Sequence, residues 1–322
     1  MPDNQARKRL LLLHYMSDFA RFRDRFDAAG DDIEIVWCED QDQLEAEIGD
    51  ADAVAITQLS PEAFARAANL EWIHCWSAGP DKLLTPEIAA SPIPVTSSKG
   101  NGAIPLAEHA VTLMKMLQRD APRWLRAQAE RHWEGFGDGG ELHGKTVTIV
   151  GLGHSGKHLA KIAKGFDMRV TGVRRRPNPV DHVDRVHSPS QLPEAVAAAD
   201  FVVVTAPLTA GTRGMFDAAV FAAMKPTAFY INFSRGEIAR DDALLHALRN
   251  GVIAGAGLDA HSVEPLPPDS PFWDLPNTII TPHHGAASPE THERSAAIFE
   301  RELRAYAAGA PFINTVDKAA GY

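Results

Sequence analysis

Between Thr146 and Phe166 the sequence runs TVTIVGLGHSGKHLAKIAKGF, and no other stretch limits the fold so tightly. An apolar, β-branched run passes through Gly151, Gly153 and Gly156 into an amphipathic helix. A strand buried on both faces of a parallel sheet reads as such a continuous apolar run. The G-x-G-x-x-G spacing at that junction suits a dinucleotide. The first glycine permits the tight turn, the second lets the backbone approach a pyrophosphate, and the third lets helix and strand pack closely. The helix start adds N–H groups and the positive end of its dipole. Gly151, Gly153, His154, Ser155 and Gly156 are therefore the expected cofactor contacts in this turn. His154 and His158 also stand four apart, as two metal ligands on one helical face would. No acidic or cysteine ligand accompanies them, and no metal site is expected.

Short β-rich runs alternate with helical stretches along the rest of the chain. Before the turn stand RLLLLHY, a helix over 18–29, IEIVWC, a helix over 44–48, AVAIT, a helix over 61–68, LEWIHCWS and IPVTSS. A long apolar helix over 104–117 and a glycine-rich connector over 137–144 follow. After the turn stand RVTGVR, a helix near 193–199, FVVVTAP, a helix near 218–224, AFYINFS, a helix over 241–250, GAGLD and TIITPH. Repeated βαβ units build parallel sheets, which places the chain in the α/β class. Six strands in the second series predict a doubly wound Rossmann domain. Ser288 followed by Pro289 reads as an N-cap with proline at the first helical position, opening a helix that stops near Gly309. The remaining tail is too short for a domain and is expected to return to the first one. The expected domains are thus 1–100 with 286–322, and an inserted dinucleotide-binding domain over 101–285. For 322 residues, two domains are also the ordinary prior.

Composition narrows the function classes. With 32 basic against 42 acidic side chains the formal charge is −10, which argues against a partner that is nucleic acid. Cys38 and Cys75 are the only cysteines and lack CxxC spacing, so neither a disulfide framework nor a zinc site is expected, and a reducing cytoplasm fits. The apolar run Leu10 to Leu13 is broken by His14 and is too short for a signal sequence or a membrane span. The expectation is a cytoplasmic protein with no membrane partner.

Five stretches, ELHGKTVTIVGLGHSG, TAPLTAGT, INFSRGEI, GLDAHSVEPLP and TPHHG, carry a likeness that extends over nearly the whole chain. In that order they resemble the D-isomer-specific 2-hydroxyacid dehydrogenases, of the glyoxylate/hydroxypyruvate reductase kind. The resemblance implies a flavodoxin-like substrate domain into which the Rossmann domain is inserted, with the active site in the cleft between them. It implies Arg235 as the clamp on the substrate carboxylate that also polarises the keto group, Glu264 as the carboxylate orienting a histidine, and His283 as the general acid/base. Ser77, Ala78 and Gly79 match a loop whose backbone binds the substrate carboxylate. Trp76 before them either narrows the pocket or packs beneath the loop. Thr205, Pro207, Thr212, Phe233, Ser234, Asp259 and Gly285 are implied cofactor contacts, Asp259 toward the nicotinamide carboxamide. A homodimer formed through the cofactor domain is implied as well. The sequence departs from the family pattern at His261, where an aromatic is common, at His284, where an aliphatic is usual, and at Ser97 and Lys99, where many members have asparagine and proline.

These residue types suit reduction of a small 2-keto acid such as glyoxylate or hydroxypyruvate. A guanidinium offers a planar fork to carboxylate and keto oxygens and is never deprotonated. A histidine gives the proton in reduction and takes it in oxidation, and a neighbouring carboxylate fixes its tautomer. Arg235 follows AFYIN and His283 follows TIITP, at the strand ends where doubly wound sheets bind ligands. His284 is the competing candidate. Glu108 and His109 are adjacent on a helix and so point in different directions, which suits a capping or interface role. A non-catalytic, nucleotide-sensing regulator resembling a corepressor is the alternative reading. Related formate dehydrogenases typically carry glutamine at the position of Glu264, and the phosphoglycerate branch often carries a further C-terminal domain, which is not expected here.

Cofactor choice follows from the strand after the glycine turn. An NAD-binding Rossmann domain normally ends that strand with an acid on the ribose 2′-hydroxyl. Here RVTGV ends in Arg174, Arg175, Arg176 and Pro177. Guanidinium groups attract a 2′-phosphate that a carboxylate would repel, so NADP(H) is expected to be preferred, with NAD(H) second.

Overall fold

The computed structural model describes residues 7–14, 17–30, 32–133, 137 and 139–322. Residues 1–6, Tyr15 at the end of the first expected strand and Asp138 in the expected connector lie outside the described residues. The chain forms two compact units, Met1–Asn101 with Ser288–Tyr322, and Gly102–Ala287.

The first unit holds five parallel strands: β1 (Lys8–Leu12), β2 (Ile33–Trp37), β3 (Ala53–Ile56), β4 (Trp72–Cys75) and β5 (Val95–Ser97). Their order β2-β1-β3-β4-β5 is that of flavodoxin-like sheets. Successive side chains of a strand point to opposite faces. Leu10 and Leu12 accordingly join Phe26 and Trp72 on one face, while Leu11 and Leu13 join Val54 and Ile73 on the other. An unbroken run of leucines is what a sheet covered on both faces requires. The expected helix over 18–29 is instead a 3-10 turn, Ser17–Phe22, leading into a short α-helix, Arg23–Asp27. The tighter winding puts residues three apart on one face, which keeps Phe19 and Phe22 together in the core.

The helix Pro289–Ala307 completes this unit. Its cap is Ser288, whose hydroxyl accepts the Thr291 N–H at 3.1 Å. Phe299 stacks on Trp72 with ring centres 5.8 Å apart and meets Phe26 edge-on. Glu302 is fully buried, and its carboxylate accepts the N–H groups of Ile313 and Asn314 at 2.9 and 3.2 Å. Those bonds turn the tail so that Thr315 bridges Thr96.

The second unit carries seven parallel strands: β6 (Thr146–Val150), β7 (Arg169–Val173), β8 (Arg185–His187), β9 (Phe201–Val204), β10 (Phe229–Asn232), β11 (Gly255–Leu258) and β12 (Thr278–Ile280). The order β12-β11-β10-β9-β6-β7-β8 is the doubly wound Rossmann arrangement with one strand added. The sequence predicts six strands. The one it misses is β8, three residues at the sheet edge of which only His187 is buried, too short to show an apolar run. Both faces are covered here too. Phe201 and Val203 face the helix Ala103–Gln118 through Ala110 and Leu113, and Val202 and Val204 face the opposite core with Tyr230 and Phe216. The chain leaves β6 for β7 on one side and reaches β9 on the other, so the ligand-binding switch point lies between β6 and β9.

Candidate active site

The glycine turn is built as its spacing requires. Gly151 has φ +108°, and a Cβ there would stand 2.6 Å from the Ala206 nitrogen. At Gly156 a Cβ would stand 2.1 Å from the Gly151 carbonyl oxygen, so the helix His154–Gly165 can approach only without it. Around Gly153 no atom lies within 4 Å of such a Cβ, leaving the open approach to the helix start that a pyrophosphate needs. The donor set and the open space fit a dinucleotide. Arg174 leaves β7 with its N–H bonded to the His187 carbonyl at 3.0 Å; its side chain is half-buried, and those of Arg175 and Arg176 are exposed.

The neighbouring loops hold one another by hydroxyls. Thr205 donates to the Gly151 carbonyl at 2.5 Å, Thr212 donates to the Pro207 carbonyl at 2.7 Å, and Ser234 donates to the Ala206 carbonyl. Thr205, Thr212 and Ser234 thus fix the loops that follow β9 and β10 through these internal bonds. Phe233 is buried in the core.

At the ends of β10, β11 and β12 the second group of expected residues comes together. The buried Asn232 amide donates to the Arg235 carbonyl at 2.9 Å and its oxygen accepts the Ser234 N–H at 3.0 Å, which fixes the turn presenting Arg235. The half-buried Arg235 guanidinium donates to the Ser234 carbonyl at 2.8 Å. Gly236 allows this turn to press on the next one, since a Cβ there would stand 2.0 Å from the carbonyl carbon of His261. The His261 N–H in turn donates to Glu264 at 3.0 Å. Both oxygens of Glu264 lie 2.9 Å from Nδ1 of His283. That contact leaves Nε2 as the ring nitrogen for proton exchange.

His283 has φ 51°, in the left-handed region. Asp259 holds the turn around it: the fully buried carboxylate accepts the Thr281 hydroxyl at 2.6 Å and the N–H groups of His284 and Gly285, each at 2.9 Å. Burial pushes the Asp259 pKa up, but these three bonds outweigh it and hold the carboxyl below its ordinary value. Asp259, the side chain expected toward the nicotinamide, thus also holds the His283 turn. Gly285 is buried, and a Cβ there would meet Asp259 and the His109 ring, both at 2.8 Å.

Trp76 follows β4 and turns its ring into the first unit. Its indole is 6% exposed and packs on Phe19, His74 and Phe299 in the core of the first unit. Ser77, Ala78 and Gly79 follow the end of β4. His261, the departure from an aromatic, packs its ring on Phe272, and burial lowers its pKa against the pull of Glu264. Asn232, Gly236 and Thr281 are contributors that sequence reasoning missed, because their partners lie in other turns. Among the described residues no group of three or more His, Cys, Asp or Glu side chains is placed to hold a metal, and no helix is long and apolar enough to cross a membrane.

Residues 111–285 match the family model of the D-isomer specific 2-hydroxyacid dehydrogenase NAD binding domain. A glyoxylate reductase of Pyrococcus furiosus is 32% identical over 290 residues, covering 85% of this chain and 86% of that one. The crystal structure of a D-isomer specific 2-hydroxyacid dehydrogenase family protein from Aeromonas salmonicida superposes with a TM-score of 0.86 at 31% identity, covering 97% of this chain and all of that one. An NADPH-dependent glyoxylate/hydroxypyruvate reductase from Sinorhizobium meliloti, solved with NADP and sulfate, gives a TM-score of 0.85 at 26% identity, covering 98% of this chain and all of that one. With its parallel sheets, its glycine turn and a histidine–glutamate pair at the strand ends, the chain belongs to the D-isomer specific 2-hydroxyacid dehydrogenase family.

Proposed function

We propose that this enzyme is an NADPH-preferring reductase of small 2-keto acids of the glyoxylate and hydroxypyruvate class. The observation that carries the reading is the pairing of His283 Nδ1 with both oxygens of Glu264 at 2.9 Å, on the strand ends that also present Arg235. Glu264 orients the ring and fixes its tautomer, and His283 delivers a proton from Nε2 to the keto oxygen as charge develops there. Arg235 holds the substrate carboxylate with its planar fork and draws electron density from the carbonyl. The nicotinamide cofactor supplies the hydride to C2 when bound. The helix start at Gly153 to Gly156, with His154 and Ser155, would hold its pyrophosphate, and Arg174, Arg175 and Arg176 its 2′-phosphate. Pro207 and the loops fixed by Thr205, Thr212 and Ser234 would shape the nicotinamide side. Ser77, Ala78 and Gly79 stay with the substrate carboxylate on the family resemblance. A homodimer in the cytoplasm completes the reading.

The names of the relatives, reductases among them, support an enzyme over a regulator. The NADP-bound Sinorhizobium neighbour supports the cofactor choice, as do the three arginines where an NAD enzyme would carry an acid. Steady-state kcat/KM over a panel of 2-keto acids, with NADPH and with NADH, tests the reading. A preference for NADPH of about tenfold or more is expected, one charge-assisted bond being worth roughly 1.5–3 kcal/mol. An Arg174→Ala, Arg175→Ala double variant should lose that preference. Equal use of both cofactors, or a preference for NADH, would refute it, and no turnover of any keto acid would return the regulator to favour.

A further inference from the structure

His109 lies on the helix Ala103–Gln118, which the chemistry above does not use. Its Nε2 is 3.2 Å from the Thr281 hydroxyl oxygen and 3.7 Å from Oδ1 of Asp259. The direction of these bonds follows from valence. A carboxylate only accepts, so the Thr281 hydroxyl donates its one proton to Asp259, at 2.6 Å. The Thr281 oxygen can then take only a donor from His109, which places the ring proton on Nε2. Burial lowers the His109 pKa, partly offset by Asp259 and reinforced by His284, and so favours the neutral ring with one defined tautomer. The ring also stands 2.8 Å from where a Gly285 Cβ would be, closing the turn from its far side.

We propose that His109 is a positioning residue for the acid/base turn, fixing through Thr281 and Asp259 the backbone on which His283 stands. The need for it comes from the backbone. A residue with a Cβ at φ 51° persists only where its surroundings over-determine it. The two amides that follow His283 are tied to one carboxylate, and Thr281 is the side chain that donates to its Oδ1. His109 fixes the Thr281 hydroxyl in turn. Glu108, next to it, is exposed and takes no part. The inference rests on the reading of His283 as acid/base, and the experiment separates the two.

His109→Phe keeps a ring against Gly285 but no donor, whereas His109→Gln carries an amide N–H to about the place of Nε2. The expected outcome for the phenylalanine variant is a kcat about tenfold lower with KM for the keto acid little changed, less than the roughly hundredfold that a 1 Å misplacement costs. In the apo protein its His284 and Gly285 amides should exchange hydrogen faster, while the amides of β9 and β10 keep their protection. The glutamine variant should recover both. Thr281→Val, close in shape, breaks the same link should His109→Phe fail to fold. The double variant should be no worse than the poorer single one. Parental kcat with protected amides in His109→Phe overturns the proposal, as does a glutamine variant as impaired as the phenylalanine one, or losses that multiply in the double variant. Turnover retained by His283→Ala would place the error in the acid/base assignment, and the amide exchange would still decide the role of His109.

Discussion

At His283 a left-handed backbone, with a cost of about 1–2 kcal/mol for a residue with a side chain, coincides with a ring facing a carboxylate. The adjacent His284 contributes its backbone N–H to Asp259 and leaves its side chain exposed. The two histidines should therefore separate cleanly. His283→Ala should lower kcat by at least about a hundredfold, the low end for a positioned general acid, and His284→Ala should stay near the parent; steady-state turnover with one keto acid decides between them. Arg235→Lys keeps the charge and loses the fork, so kcat/KM should fall roughly tenfold or more, as one charge-assisted bond is removed. Parental kcat/KM in that variant would remove the bidentate role. These residues are legible in the sequence because each sits within a short motif beside its strand. Asp259 is not legible in the same way. Its partners Thr281, His284 and Gly285 come from the next strand's turn, and nothing local announces that this carboxylate ties down a neighbouring loop.

At the scale of elements, the glycines divide into two kinds that the sequence writes alike. Gly236 lets one turn press on another, and Gly153 leaves room that no protein atom fills. Gly236→Ala drives a Cβ into the His261 backbone and should destabilise the fold by about 1–3 kcal/mol, lowering Tm and taking the Glu264 turn with it. Gly153→Ala should leave Tm of the apo protein in place and weaken cofactor binding, which thermal unfolding and a fluorescence titration measure separately. A drop in apo Tm for Gly153→Ala equal to that for Gly236→Ala would contradict the division. Strands covered on both faces, such as β6 and β9, are plain in the sequence as apolar, β-branched runs. The edge strand β8 is not, because an edge needs little apolar surface. The 3-10 turn at Ser17–Phe22 escaped for a related reason: aromatic spacings of three and four suit both kinds of winding.

For the molecule as a whole, acid stability should hinge on a buried base. His74 is fully buried, with Nδ1 2.9 Å from the Thr96 hydroxyl oxygen and Nε2 3.3 Å from that of Ser98, and burial pushes its pKa down to about 3. A base whose folded pKa lies below its ordinary 6.5 binds its proton more readily in the unfolded chain. Its contribution is complete above about pH 6.5 and is lost progressively as pH falls toward 3, at up to ~1.4 kcal/mol per pH unit. Denaturant midpoints measured between pH 7 and 4 should therefore fall in the parent and fall less in His74→Gln; parallel slopes would rule His74 out. The same neighbourhood sets an order of events during synthesis. Phe299 closes on Trp72 and Phe26, yet the ribosome delivers it only after the whole of Gly102–Ala287 has emerged. At roughly 5–20 residues per second, the aromatic face of the first-made sheet waits on the order of ten seconds or more for its cover. The inserted unit can complete its own core in that interval. A nascent chain stalled before Ser288 would carry one finished unit and one sheet with its aromatic side open, a substrate for chaperones and proteases.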